Sequence, residues 1–298
     1  MNFSTFLSLK NQIKSTPLFR WNYFIFLLFF TIVFTFFGCK PKESKKSTQL
    51  KVAPKVKICS LSTCATAILL NLNHPVAAID SFGKIVNKDP NLNIPVIGKS
   101  NLISLEKLVS LQITHVILWD YQKSLVPKLK ELNIQAVTLP AFRLNDYPKV
   151  VKLLGKIVNK EAEANKLIDD FNQKIKNFTT NLNLSDKTAI KNVYFELYGE
   201  NVIAGNDSYI GDLLKIVNAR SITKKTSMIS KEYILTQNID TIFYIEGITT
   251  AKKIAQRSGF ANLLAVKNKR IFPIKRELII EGAYPVEALN YLTSKLRK

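Results

Sequence analysis

The sequence predicts an α/β fold in which two doubly wound lobes are joined by one long, rigid α-helix. Short apolar strands alternate with amphipathic helices in both halves of the chain, which is the element order of parallel α/β folds. Between the halves, residues 160–183 carry apolar side chains at spacings of three and four, with polar side chains on the opposite face. This pattern predicts a helix of about 24 residues, or ~36 Å, which is longer than a routine crossover between neighbouring strands.

The composition is that of a globular protein with an excess of basic residues. Of the 298 residues, 47% are hydrophobic and 22% are charged, which excludes a disordered or collagen-like chain. The 43 Lys and Arg residues against 22 Asp and Glu give a net charge of +21. Three Cys and two His are too few for a zinc-finger array, a multi-disulfide scaffold or a site with three histidines.

Residues 1–38 are typical of a secretory signal peptide. Three basic residues precede an uncharged and mostly apolar run over residues 21–37. Gly38-Cys39 is similar to the lipobox of bacterial lipoproteins, in which the cysteine is lipidated and becomes the first residue of the mature chain. Phe36 stands where the lipobox usually has leucine, and a retained membrane anchor or an ordinary cleaved signal are the alternatives.

Residues 39–55 are rich in Lys, Ser and Pro and predict a flexible, solvated tether. We therefore expect an exported protein, lipid-anchored through Cys39 to a membrane and facing the periplasm or the cell exterior. In that location the protein meets little nucleic acid, so we expect no nucleic-acid partner and interpret the basic excess as solvated Lys-rich surfaces.

An N-terminal lobe is predicted over residues 56–158. Cys59 and Cys64 lie on either side of its first strand-to-helix junction, and we expect free thiols because a disulfide there has demanding geometry. The predicted strands are Val56–Ser60, Val76–Ile79, Thr114–Trp119 and Ile134–Leu139, and the predicted helices are Thr63–Leu72, Ser104–Leu111 and Gln122–Leu132.

The connecting helix is assigned to residues 159–184 and a C-terminal lobe to residues 185–298. The predicted strands of this lobe are Asn192–Tyr198, Thr241–Ile245 and Arg270–Ile274, and its predicted helices are Ser208–Val217, Ser230–Thr236 and Val286–Leu296.

An internal repeat relates the two predicted lobes. Residues 104–118 align with residues 230–244 without a gap, their apolar positions match in register, and a Ser-x-Glu opening coincides in both. We interpret this match as one repeat unit per lobe, the alternative being the apolar pattern that any two helix–strand units share. Glu106 and Glu232 would then occupy equivalent places in the first turn of two equivalent helices.

Ordered motifs across residues 56–298 make the chain similar to a known family. The chain resembles the helical-backbone substrate-binding proteins of bacterial ABC importers for iron-siderophores, haem and vitamin B12. The motifs are ICSLSTCATAILL at Ile58–Leu70, IPVIGKSNLISLEKLVSL at Ile94–Leu111, the strand Thr114–Trp119, the long helix, IAGNDSYIGDLLKI at Ile203–Ile216, Ser230–Ile234 and AVKNKRIFPI at Ala265–Ile274.

The resemblance implies a ligand cleft between two lobes, and in α/β lobes ligands lie beyond the carboxyl ends of the strands. Aromatic residues at those predicted ends would offer flat walls to a large conjugated ligand, the alternative for each being core packing. Trp119 has the strongest case because B12-binding relatives also carry Trp there. The aromatic candidates are Phe82, Trp119, Tyr121 and Tyr198.

Basic residues at the same ends are the second group of candidates. Arg143 and Arg276, together with Lys99, could pair with the carboxylates of haem or of an anionic siderophore, or could be solvated surface residues. Tyr121, Tyr198 or Tyr284 could coordinate iron, but no spacing requires it. We expect an iron chelate, haem or a corrinoid as transported ligand, and no intrinsic cofactor or protein-bound metal.

The resemblance also implies a partner, an ABC permease dimer with its ATPase. In the family, paired glutamates such as Glu106 and Glu232 meet Arg residues on the two membrane subunits. The alternative is that each glutamate only stabilises its own helix by ~0.3–1 kcal/mol. We expect the protein itself to be a monomer.

Other functions have weaker support in the sequence. An enzyme is disfavoured because there is neither a Gly-x-Ser-x-Gly elbow nor a Gly-rich phosphate loop, and His74 and His115 have structural positions. A zinc or manganese receptor would need more histidines. A stand-alone surface scavenger of haem is the remaining alternative, and such a protein has no need of docking glutamates.

Overall fold

A computed structural model describes residues 55–297 except 87–88, 90–91, 141–142 and 183–188. The predicted signal peptide, Cys39 and the tether up to residue 54 lie outside the described residues. Within the described part of the chain, no helix combines the length and apolar composition needed to cross a membrane.

The N-terminal lobe is built on a four-stranded parallel sheet in the order β2-β1-β5-β6, with a separate two-stranded antiparallel pair, β3–β4. Val116, Ile117 and Leu118 in its inner strand β5 are fully buried, as expected of a strand covered on both faces. The strands are β1 (Ile58–Ser60), β2 (Val76–Ile79), β3 (Gly98–Lys99), β4 (Leu102–Ile103), β5 (His115–Trp119) and β6 (Gln135–Leu139).

The helices of this lobe are α1 (Thr63–Asn71), α2 (Leu105–Ser110), α3 (Val126–Glu131) and α4 (Tyr147–Ile157). The helix predicted over Gln122–Leu132 divides into a 3-10 helix at Asp120–Leu125 followed by α3. Pro127 lies in the first turn of α3, where its missing N–H is not needed, and therefore favours a helix start at this point.

The connecting helix α5 spans Glu161–Asn181, slightly shorter than predicted. Ala164 and Phe171 on its apolar face are buried, and the other apolar residues of that face pack against the core. The helix contacts both α4 of the N-terminal lobe and α10 (Pro285–Leu296) near the end of the chain, so it is packed against both halves.

The C-terminal lobe has the parallel strand order β9-β7-β11-β12, with β8 and β10 added antiparallel at one side. The sequence predicted β7, β11 and β12 and missed the three shorter strands. The strands are β7 (Lys191–Glu196), β8 (Val202–Ile203), β9 (Ala219–Ser221), β10 (Ser227–Met228), β11 (Thr241–Ile245) and β12 (Ile271–Ile274), and the helices before α10 are α6 (Tyr209–Ile216), α7 (Lys231–Leu235), α8 (Ala251–Ala255) and α9 (Leu264–Lys267).

The internal repeat is confirmed by the two sheets. The order β2-β1-β5-β6 in one lobe corresponds to β9-β7-β11-β12 in the other. Ser104 caps α2 by accepting the N–H of Lys107 at 3.2 Å, and Ser230 caps α7 by accepting the N–H of Tyr233 at 3.2 Å. The repeated segments therefore fold into the same helix–strand unit in each lobe.

A hydrophobic core cluster runs through both lobes. It includes residues of α1 and α4 on one side, Phe171 of α5, and residues of α6 and α10 on the other side. The rings of Tyr147 and Phe171 stack at 4.3 Å between centroids. This shared core packs the lobes against each other at the base of the cleft.

Candidate functional site

A cavity of about 810 Å³ opens between the lobes, beyond the carboxyl ends of strands from both sheets. This volume is within the range of ~300–1,000 Å³ typical of small-molecule sites. The N-terminal lobe contributes Leu61, Thr63, Asp80, Phe82, Lys99, Trp119, Asp120, Tyr121 and Pro140 to its walls, and the C-terminal lobe contributes Tyr198, Ile248, Arg276, Ile279, Ile280 and Glu281.

The guanidinium of Arg276 lies between two aromatic rings, one from each lobe. Its central carbon is 4.6 Å from the ring centroid of Phe82 and 4.9 Å from that of Tyr198. Lys99 Nζ is 5.6 Å from the Phe82 centroid. Cations attract aromatic faces at these distances, so the stack holds Arg276 across the cleft with its hydrogen-bond donors at the cavity wall.

A buried glutamine fixes the corner that carries Trp119 and Tyr121. The backbone N–H of Trp119 donates to Gln122 Oε1 at 2.9 Å, and Gln122 Nε2 donates to the carbonyl of Ser100 at 3.0 Å. Gln122 itself is fully buried. Desolvation raises the pKa of Tyr121, and the nearby Asp80 and Tyr198 raise it further.

Two carboxyl groups in the cavity wall have raised pKa values. Asp80 follows β2, and its Oδ1 accepts the backbone N–H groups of Phe82 at 3.1 Å and Gly83 at 3.0 Å. Burial raises its pKa, while these hydrogen bonds and Arg276 act in the opposite direction. Burial raises the pKa of Glu281 to about 7. The cavity therefore combines aromatic walls, two cations and two acids that are harder to ionise than usual.

Five of the six ligand-binding residues expected from the sequence line this one cavity: Phe82, Trp119, Tyr121, Tyr198 and Arg276. Glu281 and the apolar pair at residues 279–280 were not expected. Ile279 is the last residue of a short 3-10 helix beyond β12, and Ile280 and Glu281 follow it, where no periodic pattern marks them. Their position shortly after the predicted carboxyl end of β12 was the one signal in the sequence that could have indicated them.

Arg143 is the exception, and the structure corrects its expected place. Its Nε donates to Asp212 Oδ2 at 2.8 Å, and its terminal nitrogen donates to the other carboxylate oxygen and, at 3.2 Å, to the carbonyl of Asn206. Both partners lie in the C-terminal lobe. Arg143 is engaged in a bidentate pair that links the lobes and is absent from the cavity wall.

Glu106 and Glu232 are the second residues of α2 and α7, and both are exposed. Cys59 and Cys64 are buried free thiols, as expected. Burial lowers the pKa of His74 and of His115, and neither lines the cavity. Among the described residues, no group of three His, Cys, Asp or Glu side chains could hold a metal ion.

Sequence comparison gives relatives over most of the chain. The periplasmic binding protein family matches residues 58–278. The chain is 24% identical over 269 residues to YvrC, an ABC transporter substrate-binding lipoprotein of Bacillus subtilis, covering 85% of this chain and 83% of that protein. It is 25% identical over 270 residues to IsdE, a high-affinity heme uptake system protein of Staphylococcus aureus, covering 85% and 89%.

Solved structures show the same fold. The S. aureus IsdE complex with heme aligns with a TM-score of 0.66 and 23% identity, covering 82% of this chain and 99% of that chain. The vitamin B12 binding protein BtuF of Vibrio cholerae aligns with a TM-score of 0.65 and 18% identity, covering 81% and 96%. Since the family match runs from β1 through α5 to Arg276 after β12, the chain belongs to the periplasmic binding protein family and is a substrate-binding protein of an ABC importer, not an enzyme.

Proposed function

We propose that this protein captures haem and delivers it to a membrane permease. The observation that carries the proposal is the cavity between the lobes, where aromatic walls surround a guanidinium held between Phe82 and Tyr198. Its volume of about 810 Å³ suits a large ligand. The flat, apolar macrocycle of haem can stack on the aromatic walls, and the cavity excludes water from its faces.

The two cations in the cavity wall offer partners to a ligand with carboxylates. Arg276 and Lys99 flank the Phe82 ring and can pair with two carboxylates, as a haem carries. The guanidinium of Arg276 is already held in place by its two rings, so little side-chain freedom is lost on binding. The haem uptake protein IsdE, a relative at 25% identity, is consistent with this ligand.

We further propose that the mature protein begins at a lipidated Cys39 and works as a monomer on the outer side of the membrane. The basic, apolar, Gly-Cys order of residues 1–39 supports the anchor, and a lipid chain contributes ~0.8 kcal/mol per buried CH₂. In this arrangement the tether lets the two lobes reach the permease, with Glu106 and Glu232 as the docking contacts.

An absorbance titration tests the ligand. Purified protein is mixed with haemin, cobalamin or a ferric siderophore, and saturable spectral change is expected with haemin. Arg276→Ala should weaken haemin binding by about ten- to a hundredfold, corresponding to the loss of about 1.5–3 kcal/mol for a hydrogen bond to a charged group. Arg220→Ala, which removes an exposed arginine outside the cavity, is the matched control.

Saturable binding of cobalamin without any response to haemin would show that the ligand is a corrinoid and not haem. Binding of haemin that Arg276→Ala does not alter would remove Arg276 from the site. Cellular haemin uptake that is unchanged by deletion of the permease would contradict delivery of haem to that permease.

A further inference from the structure

Two exposed apolar side chains, Leu102 and Met228, each lie two residues before the first residue of a copy of the internal repeat. Leu102 lies in β4 just before the Ser104 cap, and Met228 lies in β10 just before the Ser230 cap. Leu102 is 84% exposed and Met228 is 74% exposed. Single exposed apolar residues are common, but two in matching places on two lobes form a symmetric pattern.

One side chain of each helix is hydrogen-bonded to the segment upstream of its cap. Lys107 Nζ donates to the carbonyl of Val96 at 3.4 Å, and in the same register the Tyr233 hydroxyl donates to the carbonyl of Ile222 at 3.0 Å. Different side chains therefore fasten α2 and α7, and their anchor points differ: Val96 bridges Ile79 of β2, whereas Ile222 directly follows β9. Leu102 and Met228 are therefore matched by their place two residues before a capping serine, whereas the strands that carry them have different partners, β3 outside the main sheet for β4 and β8 for β10.

Close backbone contacts hold both strands in place. β4 pairs with β3, and a Cβ atom at Gly98 would lie 2.0 Å from the carbonyl oxygen of Leu102. β10 pairs with β8, and a Cβ atom at Gly205 would lie 2.4 Å from the backbone nitrogen of Thr226. Only glycine allows these approaches, so the apolar side chains project from fixed strands.

Each apolar residue is followed at spacings of four and seven residues by an exposed acid and a second exposed apolar residue, and we name each set of three a patch. The N patch is Leu102, Glu106 and Val109, and the C patch is Met228, Glu232 and Leu235. Val109 is 54% exposed and Leu235 is 36% exposed, and each lies on the same helix face as its glutamate. A partner with twofold symmetry can offer the same complementary surface to both patches.

We propose that Leu102 and Met228 are apolar docking contacts with the permease, one on each of its two membrane subunits. The proposal rests on the importer function proposed above. The glutamates would steer and orient the encounter, while the apolar side chains lose water at the centre of each contact and slow dissociation. Because Leu102 pairs with Lys99 of the cavity wall, the N-lobe contact lies next to the ligand site.

Site-specific photo-crosslinking in membranes of the source cell tests the contact. Benzoylphenylalanine is placed in the full chain at position 102, 106, 228, 232 or 264, and the adducts are identified by mass spectrometry. We expect adducts with an ABC permease subunit from positions 102 and 228. Position 264 is the control, since Leu264 is 49% exposed and lies in α9, outside both copies of the repeat and both patches.

Adducts with the permease from positions 106 and 232 alone would overturn the apolar contacts and leave the importer function standing. Absence of permease adducts from all four patch positions would overturn both. In a binding assay on vesicles with the permease, the double variant Leu102→Ser, Met228→Ser should bind at least about tenfold more weakly, with an unchanged unfolding midpoint. Equal binding of this variant and of Leu264→Ser would also overturn the proposal.

Discussion

At the scale of single residues, the fluorescence of Trp119 can report ligand binding in the cavity. The sequence contains two tryptophans, and Trp21 lies in the predicted signal peptide, so Trp119 is the remaining indole after processing. It lines the cavity at the end of β5.

We expect haemin to quench most of the intrinsic tryptophan fluorescence of a chain that starts at Cys39, because a bound tetrapyrrole would lie against this indole. Trp119→Phe should abolish the emission while an absorbance titration still detects binding. Saturable binding by absorbance without a change in the emission of the unmodified chain would place the ligand elsewhere.

Glu281 makes stability depend on pH. Its pKa is about 7 in the folded protein, against 4.5 in an unperturbed chain. Between these values the unfolded chain has lost a proton that the folded protein keeps, so the free energy of unfolding falls as the pH rises from about 4.5 to 7. Above pH 7 both states have lost the proton, and Glu281 lowers the free energy of unfolding no further.

Glu281→Gln should remove this dependence. The difference in unfolding free energy, variant minus parent, should rise across that pH window by roughly 1–3 kcal/mol and then stay level. Urea unfolding at several pH values measures it, with the exposed Glu131→Gln as control. A flat difference from pH 4.5 to 8 would show that Glu281 ionises normally.

At the scale of elements, hydrogen bonds from the start of α6 link the two lobes. Asp212 in α6 accepts hydrogen bonds from the Arg143 side chain and, at 3.0 Å, from the backbone N–H of Leu144. The backbone carbonyl of Asn206 also accepts a hydrogen bond from the Arg143 guanidinium. The Asn206 side chain is hydrogen-bonded to the backbone of β9 at Ser221. The start of α6 is therefore tied both to its own sheet and to the other lobe.

We expect Asp212→Ala to lower the free energy of unfolding by about 1–3 kcal/mol, because the Leu144 N–H loses its acceptor and the Arg143 guanidinium keeps only the Asn206 carbonyl. Lys149→Ala is the control, since it removes an exposed pair with Asp146 at 3.2 Å that should contribute less than about 1 kcal/mol. Chemical denaturation measures both. Equal effects of the two variants would mean that the inter-lobe pair adds no more than a surface pair.

At the scale of the whole molecule, the repeat gives one binding protein two equivalent faces. Glu106 and Glu232 lie on those faces, and both are exposed. We expect Glu106→Ala and Glu232→Ala to reduce haemin uptake by cells, most strongly in the double variant, while haemin affinity and the unfolding midpoint stay within error.

If the glutamates only stabilise their helices, each variant should instead lose ~0.3–1 kcal/mol of stability and transport normally. Unimpaired uptake by a well-expressed double variant would therefore contradict docking. Glu163→Ala, on the connecting helix, is the matched exposed control.

The predicted anchor also concerns the whole molecule. We expect Cys39→Ser to move the protein from the membrane to the soluble fraction, or to leave an unprocessed precursor, because no lipid can be attached to a serine oxygen by thioether chemistry. Intact mass and membrane fractionation distinguish these forms from the parent. A variant with the same processed mass and the same membrane association as the parent would exclude lipidation at Cys39.

The sequence by itself determined the strand–helix alternation, the long connecting helix, the internal repeat and the family. These features depend on local periodicity and on the order of motifs, which need no knowledge of distant contacts. The rule that ligands lie beyond strand ends also led to Phe82, Trp119, Tyr121, Tyr198 and Arg276, since the strand ends were visible in the sequence.

Only the tertiary structure decided which polar groups meet. Arg143 is held by Asp212, which is 69 residues away in the chain, and no sequence pattern marks such a pair. Glu281 gains its raised pKa from burial alone, a property of the packed lobes. The short strands β8 and β10 are too brief to show a period of two, and they form because the lobe supplies their partners. Local patterns fix the elements, whereas desolvation and long-range pairing fix the chemistry of the site.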